Sequence, residues 1–256
     1  MKATIEKIIR GGGEILLRHF GKTTSGDDKQ WKGDTESDAD RETERYLVTA
    51  LQRAFPGDAI LTEEHPTFTE SKNGRLWIVD SLDGSRNFIK HIPFFGISIA
   101  LAEGDRVTFG MVYLPLQQEL FWAVKGSGAF LNGEKITVNR EEQIENTVVP
   151  FMPHYYHADR KHVLHISEQM IKNGIWQFNP GFIVVPLCYT ACGRFDGAIT
   201  LGVSVWDVAG GNIIVEEAGG TVTDSGGKTW SWRSDLQDII AANPILHEKI
   251  MQKIIR

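Results

Sequence analysis

The chain has 256 residues, of which 41% are apolar and 23% are charged, and its formal net charge at pH 7 is -6. These values are ordinary for a globular protein and exclude a disordered one, while the length allows one large domain or two small ones. No run or stripe of Lys and Arg is present to follow a nucleic-acid backbone, so we expect no polymeric nucleic acid as a partner.

The cysteines and the hydropathy pattern indicate the compartment. Cys188 and Cys192 lack the CxxC spacing of a redox motif, and we expect them to pack on one face of a helix. No charged and then apolar leader opens the chain, and no apolar run reaches the ~20 residues needed to cross a membrane. We therefore expect a cytoplasmic protein with no membrane partner.

Two helices are predicted near the start of the chain. Apolar residues at helical spacing predict the first from Ile5 to Phe20, and its Gly11–Gly13 run weakens a helix unless it allows close packing against a neighbour. The polar residues 21–34 predict a loop or a ragged hairpin. A second helix is predicted from Ser37 to Phe55, before Pro56-Gly57. Its expected buried residues are Tyr46, Leu47, Ala50, Leu51 and Ala54.

Acidic residues stand at the start of the second helix and after the strand that follows it. Asp38 and Asp40 fall in the first helical turn, where the helix dipole favours negative charge. The short strand Ala59–Leu61 ends just before Glu63 and Glu64, whose side chains should point to opposite sides, so at most one faces a given site directly. A charged surface loop is the alternative explanation of this pair.

The residues after the next strand have the strongest chemical pattern. Leu76–Val79 predict a buried strand, so Asp80 is expected where that strand ends, and Asp83 follows three residues later. Two carboxylates so close would repel each other unless a cation lay between them, and oxygen ligands suit Mg²⁺. Gly84 permits a tight turn, after which free N–H groups at Gly84 and Ser85 suit a phosphate. The structural alternative is that Asp often caps a helix and Asp-Gly often forms a turn.

The middle of the chain predicts one large antiparallel sheet. Apolar segments at Phe94–Ala102 and Val107–Leu114 flank a polar turn, as in a hairpin. Glu119–Val124 and Ala129–Val138 continue the meander, and Asn132-Gly133 is a strong two-residue turn signal.

The remaining residues predict an alternating α/β half. Its predicted elements are a strand near Thr147–Phe151, a helix from Val185 to Arg194, a strand from Asp196 to Val203, a helix from Trp206 to Ala218, strands near Thr221–Thr223 and Ile239–Ala242, and a closing helix from Pro244. Asp207 stands at a helix N-terminus, where a simple cap would explain it. Four histidines between His154 and His165 loosely match zinc-site spacing, but no Cys accompanies them, and a solvated helix face is the preferred interpretation.

Three motifs carry a resemblance to a known family. They read Asp80-Ser81-Leu82-Asp83-Gly84-Ser85-Arg86-Asn87-Phe88, then Trp206-Asp207-Val208-Ala209-Gly210-Gly211 followed by Glu217-Ala218-Gly219-Gly220, and, upstream of both, Glu63-Glu64. In residue type, order and spacing they resemble the inositol monophosphatase family, which belongs to a superfamily of Mg²⁺-dependent, lithium-sensitive-type phosphatases. Ser81 replaces the usual Pro and is the one departure within the first motif.

The resemblance implies a fold and a division of the chain. The fold is of the α/β class, a layered αβαβα sandwich of the sugar-phosphatase type. Residues 1–145 would form an α+β half with the large antiparallel sheet and the first metal motifs. Residues 146–256 would form an α/β half with the second metal motif. A homodimer is also implied.

The resemblance further implies the ligands of two or three Mg²⁺ ions, with Mn²⁺ as a substitute. Asp80 would bridge two ions. Glu63 and the Leu82 carbonyl would complete one site, and Asp83 and Asp207 would complete the other. Paired ions of this kind lie about 3.5 to 4 Å apart.

The other implied roles concern the attacking water and the phosphate. Ser85, through its hydroxyl, and Glu64 would orient a water for in-line attack on phosphorus. Asp40 would hydrogen-bond the Ser85 hydroxyl. The amides of Gly84 and Ser85 would bind the phosphoryl oxygens. No covalent intermediate is expected.

The implied substrate is a small phosphate monoester, such as inositol phosphate or a related sugar or polyol phosphate. Two positions depart from the inositol-type pattern. Thr200 stands where such members often carry an acidic residue, and Gly181-Phe182-Ile183 is bulkier than the usual Gly-(Ser/Thr)-Ala. Histidinol phosphate and 3'-phosphoadenosine phosphate are therefore alternatives. A catalytically inactive binding or scaffold relative is the non-enzymatic alternative, although every ligand carboxylate is retained.

Overall fold

The computed structural model describes residues 1–22, 27–28, 35–64, 71, 73–154, 157–234 and 236–255. Its helices are α1 (Lys2–His19), α2 (Asp38–Ala54), α3 (Ser85–Ile89), α4 (Arg160–Lys172), α5 (Val184–Ala191), α6 (Val205–Glu217) and α7 (Pro244–Ile250), which continues as a π-helix, Met251–Ile255. Its strands are β1 (Asp27–Asp28), β2 (Thr35–Glu36), β3 (Ala59–Thr62), β4 (Arg75–Asp83), β5 (Gly96–Glu103), β6 (Arg106–Leu114), β7 (Glu119–Val124), β8 (Gly128–Leu131), β9 (Glu134–Ile136), β10 (Phe151–Pro153), β11 (Gly197–Val203), β12 (Thr221–Thr223) and β13 (Gln237–Ala242).

The strands form a large sheet and a small one. The large sheet has the order β3-β4-β5-β6-β7-β8-β9, and every neighbouring pair is antiparallel except β3 and β4. The small sheet has the order β10-β11-β13-β12, in which β10 and β11 are parallel. The predicted meander and its turn at Asn132-Gly133 are confirmed. Most of residues 21–34, predicted as a loop or a ragged hairpin, lie outside the described residues. Strand β1 lies within this range and pairs antiparallel with β2, which follows it.

Helices and sheets alternate in five layers. One apolar cluster, which includes Ile9, Leu47 and Phe109, packs α1 and α2 on one face of the large sheet. A second cluster joins the other face of that sheet to α5, α6 and the small sheet. A third packs α4 and α7 on the far face of the small sheet. This is the predicted αβαβα sandwich. Because α5 and α6 pack on both sheets, the division between residues 145 and 146 stays a prediction.

Glycines allow the helices to approach the large sheet closely. The Gly11–Gly13 run lies inside a continuous α1, where a side chain on Gly11 would collide with the Tyr46 ring and one on Gly13 would lie 2.5 Å from the Tyr113 ring. Close packing, the predicted reason for this run, is confirmed. On the other face of the sheet, a Cβ on Gly110 would lie 2.5 Å from Ile213 in α6.

Two of the predicted strand boundaries are wrong. Strand β4 does not end at Asp80 but continues to Asp83. Asp80 pairs with Ser98, and Asp83 pairs with Gly96. Between these two pairs β4 has one residue more than β5, and this extra residue forms a bulge. The strand expected near Thr147–Phe151 begins only at Phe151.

Two side-chain predictions have mixed outcomes. Tyr46 is exposed rather than buried, although its ring lies against Gly11 of α1. His162 and His165 lie on α4, as predicted for a helix face, whereas His154 and His157 precede it with ring centroids 4.4 Å apart. In the described part of the chain, no three His, Cys, Asp or Glu side chains are grouped as a metal site. The solvated interpretation of the four histidines stays a prediction.

Across the described residues, no helix combines the length and the apolar character that crossing a membrane requires. The cytoplasmic location stays a prediction.

The packing of α6 on β6 gives a test of the fold. We expect Gly110→Ala to lower the free energy of unfolding by about 1–3 kcal/mol, because the added methyl would also lie 2.6 Å from the Gly210 carbonyl oxygen, which belongs to the helix backbone. Chemical denaturation monitored by circular dichroism measures this loss. Gly226→Ala is the control, since its nearest neighbour is a side-chain oxygen of Asp224 at 3.2 Å, and a smaller loss is expected. Equal losses in the two variants would contradict the close approach.

Candidate active site

The parallel pair β3 and β4 brings two acidic segments to one edge of the large sheet. Thr62 pairs with Val79, so Glu63 and Asp80 are the next residues on adjacent strands. Glu63 and Glu64 are both half-buried there, which fits a cleft better than a charged surface loop. Asp80 is only 1% exposed, and its Oδ1 accepts a 3.0 Å hydrogen bond from the Leu82 N–H within the bulge.

Asp80 lies in a strongly negative environment. Burial raises the pKa of its carboxyl well above the usual value, and the charges of Glu63, Asp83 and Asp207 raise that pKa further. The hydrogen bond from Leu82 acts in the opposite direction. The other three carboxylates that the sequence motifs single out are therefore each close enough to Asp80 to act on it electrostatically.

Asp83 ties the large sheet to α5. The Ile183 N–H lies 3.1 and 2.9 Å from the two Asp83 oxygens, and the Val184 N–H donates to Oδ2 at 2.6 Å. Burial raises the pKa of Asp83 to about 6, although these two backbone hydrogen bonds lower it. The carboxylate is thus held in place from a segment one hundred residues further along the chain.

Asp207 caps the helix that carries it. It lies in the first turn of α6, and its Oδ2 accepts a 2.9 Å hydrogen bond from the Ser204 N–H. The N-cap residue is Ser204, so Asp207 completes a capping box and is not the simple cap considered from the sequence. The same carboxylate also raises the pKa of Asp80.

The carboxylates are neighbours, but their side chains are not grouped as a set of metal ligands. In the described ranges, no three acidic, His or Cys side chains are already drawn together as metal ligands. Asp83 and Asp207 are instead held by backbone N–H groups. The ligand roles of Glu63, Asp80, Asp83, Asp207 and the Leu82 carbonyl stay predictions.

Asp40, in the first turn of α2, and Ser85, the first residue of α3, are hydrogen-bonded neighbours. The Ser85 Oγ lies 2.9 Å from Asp40 Oδ1 and 3.0 Å from the Leu82 carbonyl oxygen, and its single proton serves one of them at a time. The other Asp40 oxygen accepts hydrogen bonds from the backbone and the hydroxyl of Ser37, which is the helix N-cap. Asp40 therefore stabilises the start of α2 and holds the Ser85 hydroxyl at once.

Gly84 makes the turn between β4 and α3. Its φ of +94° lies in the left-handed region, which favours glycine. A side chain there would also lie 3.1 Å from the Phe94 carbonyl oxygen and 3.2 Å from the Phe182 Cβ. The predicted tight turn is confirmed, whereas phosphate binding by the Gly84 and Ser85 amides stays a prediction.

The loop before α5 is held by side-chain hydrogen bonds that no sequence motif indicates. The Asn87 side chain donates to the carbonyls of Phe94, at 3.0 Å, and Pro180, at 2.8 Å. The Asn179 side chain accepts from the Gly181 N–H at 2.8 Å, which shapes the turn leading to the amides that bind Asp83. Asn179-Pro180-Gly181 is a turn signal in the sequence, but this motif does not identify Asp83 as the residue that the following amides bind.

Thr200 offers no polar group to a substrate. It is fully buried in β11, and its hydroxyl donates to the Met152 carbonyl at 2.7 Å. The departure from the inositol-type pattern at this position is therefore a departure in the structure too, and what it means for the substrate stays a prediction. Phe182, the other departure, does border the site, because it lies against Gly84.

Comparison with known proteins agrees with this geometry. The model of the inositol monophosphatase family matches residues 1–256. A Thermotoga maritima protein described as fructose-1,6-bisphosphatase/inositol-1-monophosphatase is 33% identical over 248 residues, which cover 97% of this chain and 93% of that protein. A Nus factor SuhB from Pasteurella multocida is 33% identical over 224 residues, which cover 84% of this chain and 80% of the relative.

A solved structure shows the same fold. The extragenic suppressor protein SuhB from Bartonella henselae superposes with a TM-score of 0.90 at 32% identity, and the match covers 99% of this chain and 97% of that one. The family match runs over the motifs that supply the acidic cluster as well as over the layers that carry it. The chain therefore belongs to the inositol monophosphatase family.

Proposed function

We propose that the protein hydrolyses a small phosphate monoester and needs Mg²⁺ to do so. The observation that supports this most strongly is the buried Asp80 carboxylate with three acidic neighbours. Burying like charges together is unfavourable unless they are protonated or neutralised by a cation. Members of the family are metal-dependent phosphatases, which gives this cluster its chemistry.

The donor set fits Mg²⁺. Glu63, Asp80, Asp83 and Asp207 offer carboxylate oxygens and Leu82 a carbonyl oxygen, which are the ligands that this ion prefers. We assign these residues to two or three ions, with Mn²⁺ suited to the same donors. When bound, such ions lower the pKa of water and neutralise charge on phosphoryl oxygens.

The neighbouring residues position the reactants. When the Ser85 hydroxyl donates its hydrogen bond to Asp40, the Ser85 oxygen is left to accept a hydrogen bond from the attacking water. Glu64, which follows β3 by two residues, is the second residue that we assign to orienting this water. The amides of Gly84 and Ser85 are assigned to the phosphoryl oxygens, which carry negative charge throughout the reaction, while the oxygen of the leaving alcohol gains charge as the ester bond breaks.

Inositol and sugar phosphates are the first substrates to test, since relatives carry the names inositol-1-monophosphatase and fructose-1,6-bisphosphatase. We propose inositol phosphate or a related sugar or polyol phosphate as the general class. The predicted homodimer is a separate proposal, which sedimentation velocity would test.

The direct experiment measures phosphate release from a panel of small phosphate esters, with Mg²⁺ and with a chelator. We expect turnover that depends on Mg²⁺ and recovers when the ion is returned. The proposed function is wrong if no ester is hydrolysed, or if turnover is the same in the chelator.

A second candidate function is the partner-binding role implied by the name Nus factor, which several relatives carry. Large apolar side chains on or after α4 are strongly exposed, as a binding surface requires: Leu164, Ile171 and Trp176. A binding role alone would leave the ester panel inactive while the protein stayed folded.

Removing the buried charge separates stability from function. The pKa of Asp80 is raised in the fold, so its ionised form destabilises the metal-free protein at neutral pH. We expect Asp80→Asn to raise the Tm of the metal-free protein by about 2–5 °C while lowering kcat/KM at least ~100-fold. The substituted amide oxygen can still accept from Leu82, so the fold should be kept. Differential scanning calorimetry and phosphate assays measure the two effects.

The response to the ion completes this test. At about 100 times its Kd, Mg²⁺ should raise the Tm of the unaltered protein by about 5–10 °C and leave Asp80→Asn nearly unaffected. Asp105→Asn is the control, because that side chain is 85% exposed and pairs with Arg233. An Asp80→Asn protein that keeps normal turnover would exclude the metal assignment.

The hydroxyl of Ser85 is tested by its effect on turnover. We expect Ser85→Ala to lower kcat about 100-fold and to change KM less than about threefold, because the hydroxyl orients water and not the ester. Ser85→Thr keeps the hydroxyl and should stay within about tenfold of the original kcat. An effect confined to KM would show that Ser85 binds substrate and does not position the water.

A further inference from the structure

Strand β11 contains a bulge at the end that leads to Asp207. Thr200 pairs with Ile239 and Val203 pairs with Gln237, and between these two pairs β11 has two residues where β13 has one. The regular pairing of β11 is therefore interrupted just before the chain enters α6. A bulge bends the strand that contains it and redirects the side chains around it.

Gly202 lies within this bulge and has a backbone conformation that favours glycine. Its φ of +68° is in the left-handed region. A side chain on Gly202 would also begin 2.9 Å from the Ala158 nitrogen and 2.9 Å from the His157 carbonyl carbon. The bulge is thus packed against the backbone of the segment between β10 and α4.

The Asp238 carboxylate holds the bulge from the neighbouring strand. Its Oδ1 accepts a 3.0 Å hydrogen bond from the Gly202 N–H, and its Oδ2 accepts one of 2.5 Å from the Ser225 hydroxyl. Gly202 is buried, so its N–H needs an acceptor within the protein. Because Ser225 follows β12, one side chain joins the bulge, β13 and the loop after β12.

The bulge lies directly upstream of Asp207. Val203 ends β11, and Ser204 is the N-cap residue of α6. The Ser204 N–H donates to Asp207 Oδ2 at 2.9 Å, which directs the carboxylate. Because only Val203 separates Gly202 from Ser204, a shift of the bulge would move the N–H that holds Asp207.

Strand β4 is built in a similar way. Asp80 Oδ1 accepts from the Leu82 N–H within the bulge that separates Asp80 from Asp83. Two of the strands that lead to proposed metal ligands are therefore bulged, and in both an aspartate accepts a backbone N–H of the bulge. In β4 that aspartate is itself a proposed ligand, whereas in β11 it is Asp238, on the adjacent strand.

We infer that Asp238 is a positioning residue for the proposed metal site, because it holds the β11 bulge and thereby the place of the Asp207 carboxylate. The inference rests on the proposed function, since it takes Asp207 as a metal ligand. Asp238 itself is assigned no contact with an ion or a substrate, and it acts through the backbone that leads to Asp207.

Asp238→Ala removes both hydrogen bonds and tests the inference. We expect one of the Mn²⁺ ions that bind the unaltered protein to bind this variant about tenfold more weakly, the low end of the loss seen when a group that orients a metal ligand is removed. Asp238→Asn keeps an oxygen for the Gly202 N–H and gains an amide that can donate to Ser225, so it should stay within about twofold of the original affinity. Electron paramagnetic resonance of free Mn²⁺ during a titration measures these affinities.

Asp196 provides a matched control at the other end of the same strand. It directly precedes β11 and also accepts one backbone hydrogen bond, from the Val148 N–H at 2.7 Å, and one side-chain hydrogen bond, from Asn139 at 2.6 Å. Asp196→Ala and Asp238→Ala should each lower the Tm by about 3–8 °C. Only Asp238→Ala should weaken Mn²⁺ binding. Equal weakening in both variants, or none in Asp238→Ala, would overturn the inference.

Amide hydrogen exchange in the metal-free protein separates this inference from the proposed function. We expect the Gly202 and Ser204 amides to exchange at least about tenfold faster in Asp238→Ala, and Asp196→Ala should leave both as protected as before. If the unaltered protein binds no Mn²⁺, the proposed function is wrong, whereas faster exchange at Ser204 would still support the hold of Asp238 on Asp207. The same Ser204 exchange in all three proteins would overturn the inference, whatever the ions do.

Discussion

The concentration of negative charge around Asp80 is the constraint on which the rest of the structure depends. Asp80 is almost fully buried, and Glu63, Asp83 and Asp207 all raise its pKa. These residues come from different parts of the fold: two neighbouring strands of the large sheet and the helix packed on its other face. The way the layers pack therefore decides how close the charges come, and any cation bound among them would stabilise that packing.

Structural and catalytic explanations of an acidic residue are not exclusive in this fold. Asp40 accepts from the N-cap residue of α2 and also from the Ser85 hydroxyl. Asp207 accepts from the Ser204 N–H at the start of α6 and also acts on Asp80. Each carboxylate accepts a hydrogen bond from the N-cap residue of its own helix, which fixes the direction of the side chain. The capping role of each residue is therefore no evidence against the function proposed for it.

Much of the fold could be predicted from the sequence, and less of the site. Helical spacing, strand alternation and the Asn132-Gly133 turn are local signals, and the layers follow from them and from the family resemblance. The bulge after Asp80 depends on the register of β4 against β5, which no local pattern records. The amides that bind Asp83 lie one hundred residues away, and the burial of Thr200 depends on how the small sheet assembles. Residue type could identify the carboxylates, but only the tertiary structure shows what holds them.

The central claim is that these acidic groups share bound cations, and anomalous diffraction from crystals grown with Mn²⁺ tests it most directly. The account predicts at least two anomalous peaks, both within bonding distance of Asp80, with Glu63 and the Leu82 carbonyl at one and Asp83 and Asp207 at the other. Crystals without an anomalous peak beside Asp80, or with these carboxylates turned away from each other at saturating Mn²⁺, would contradict it.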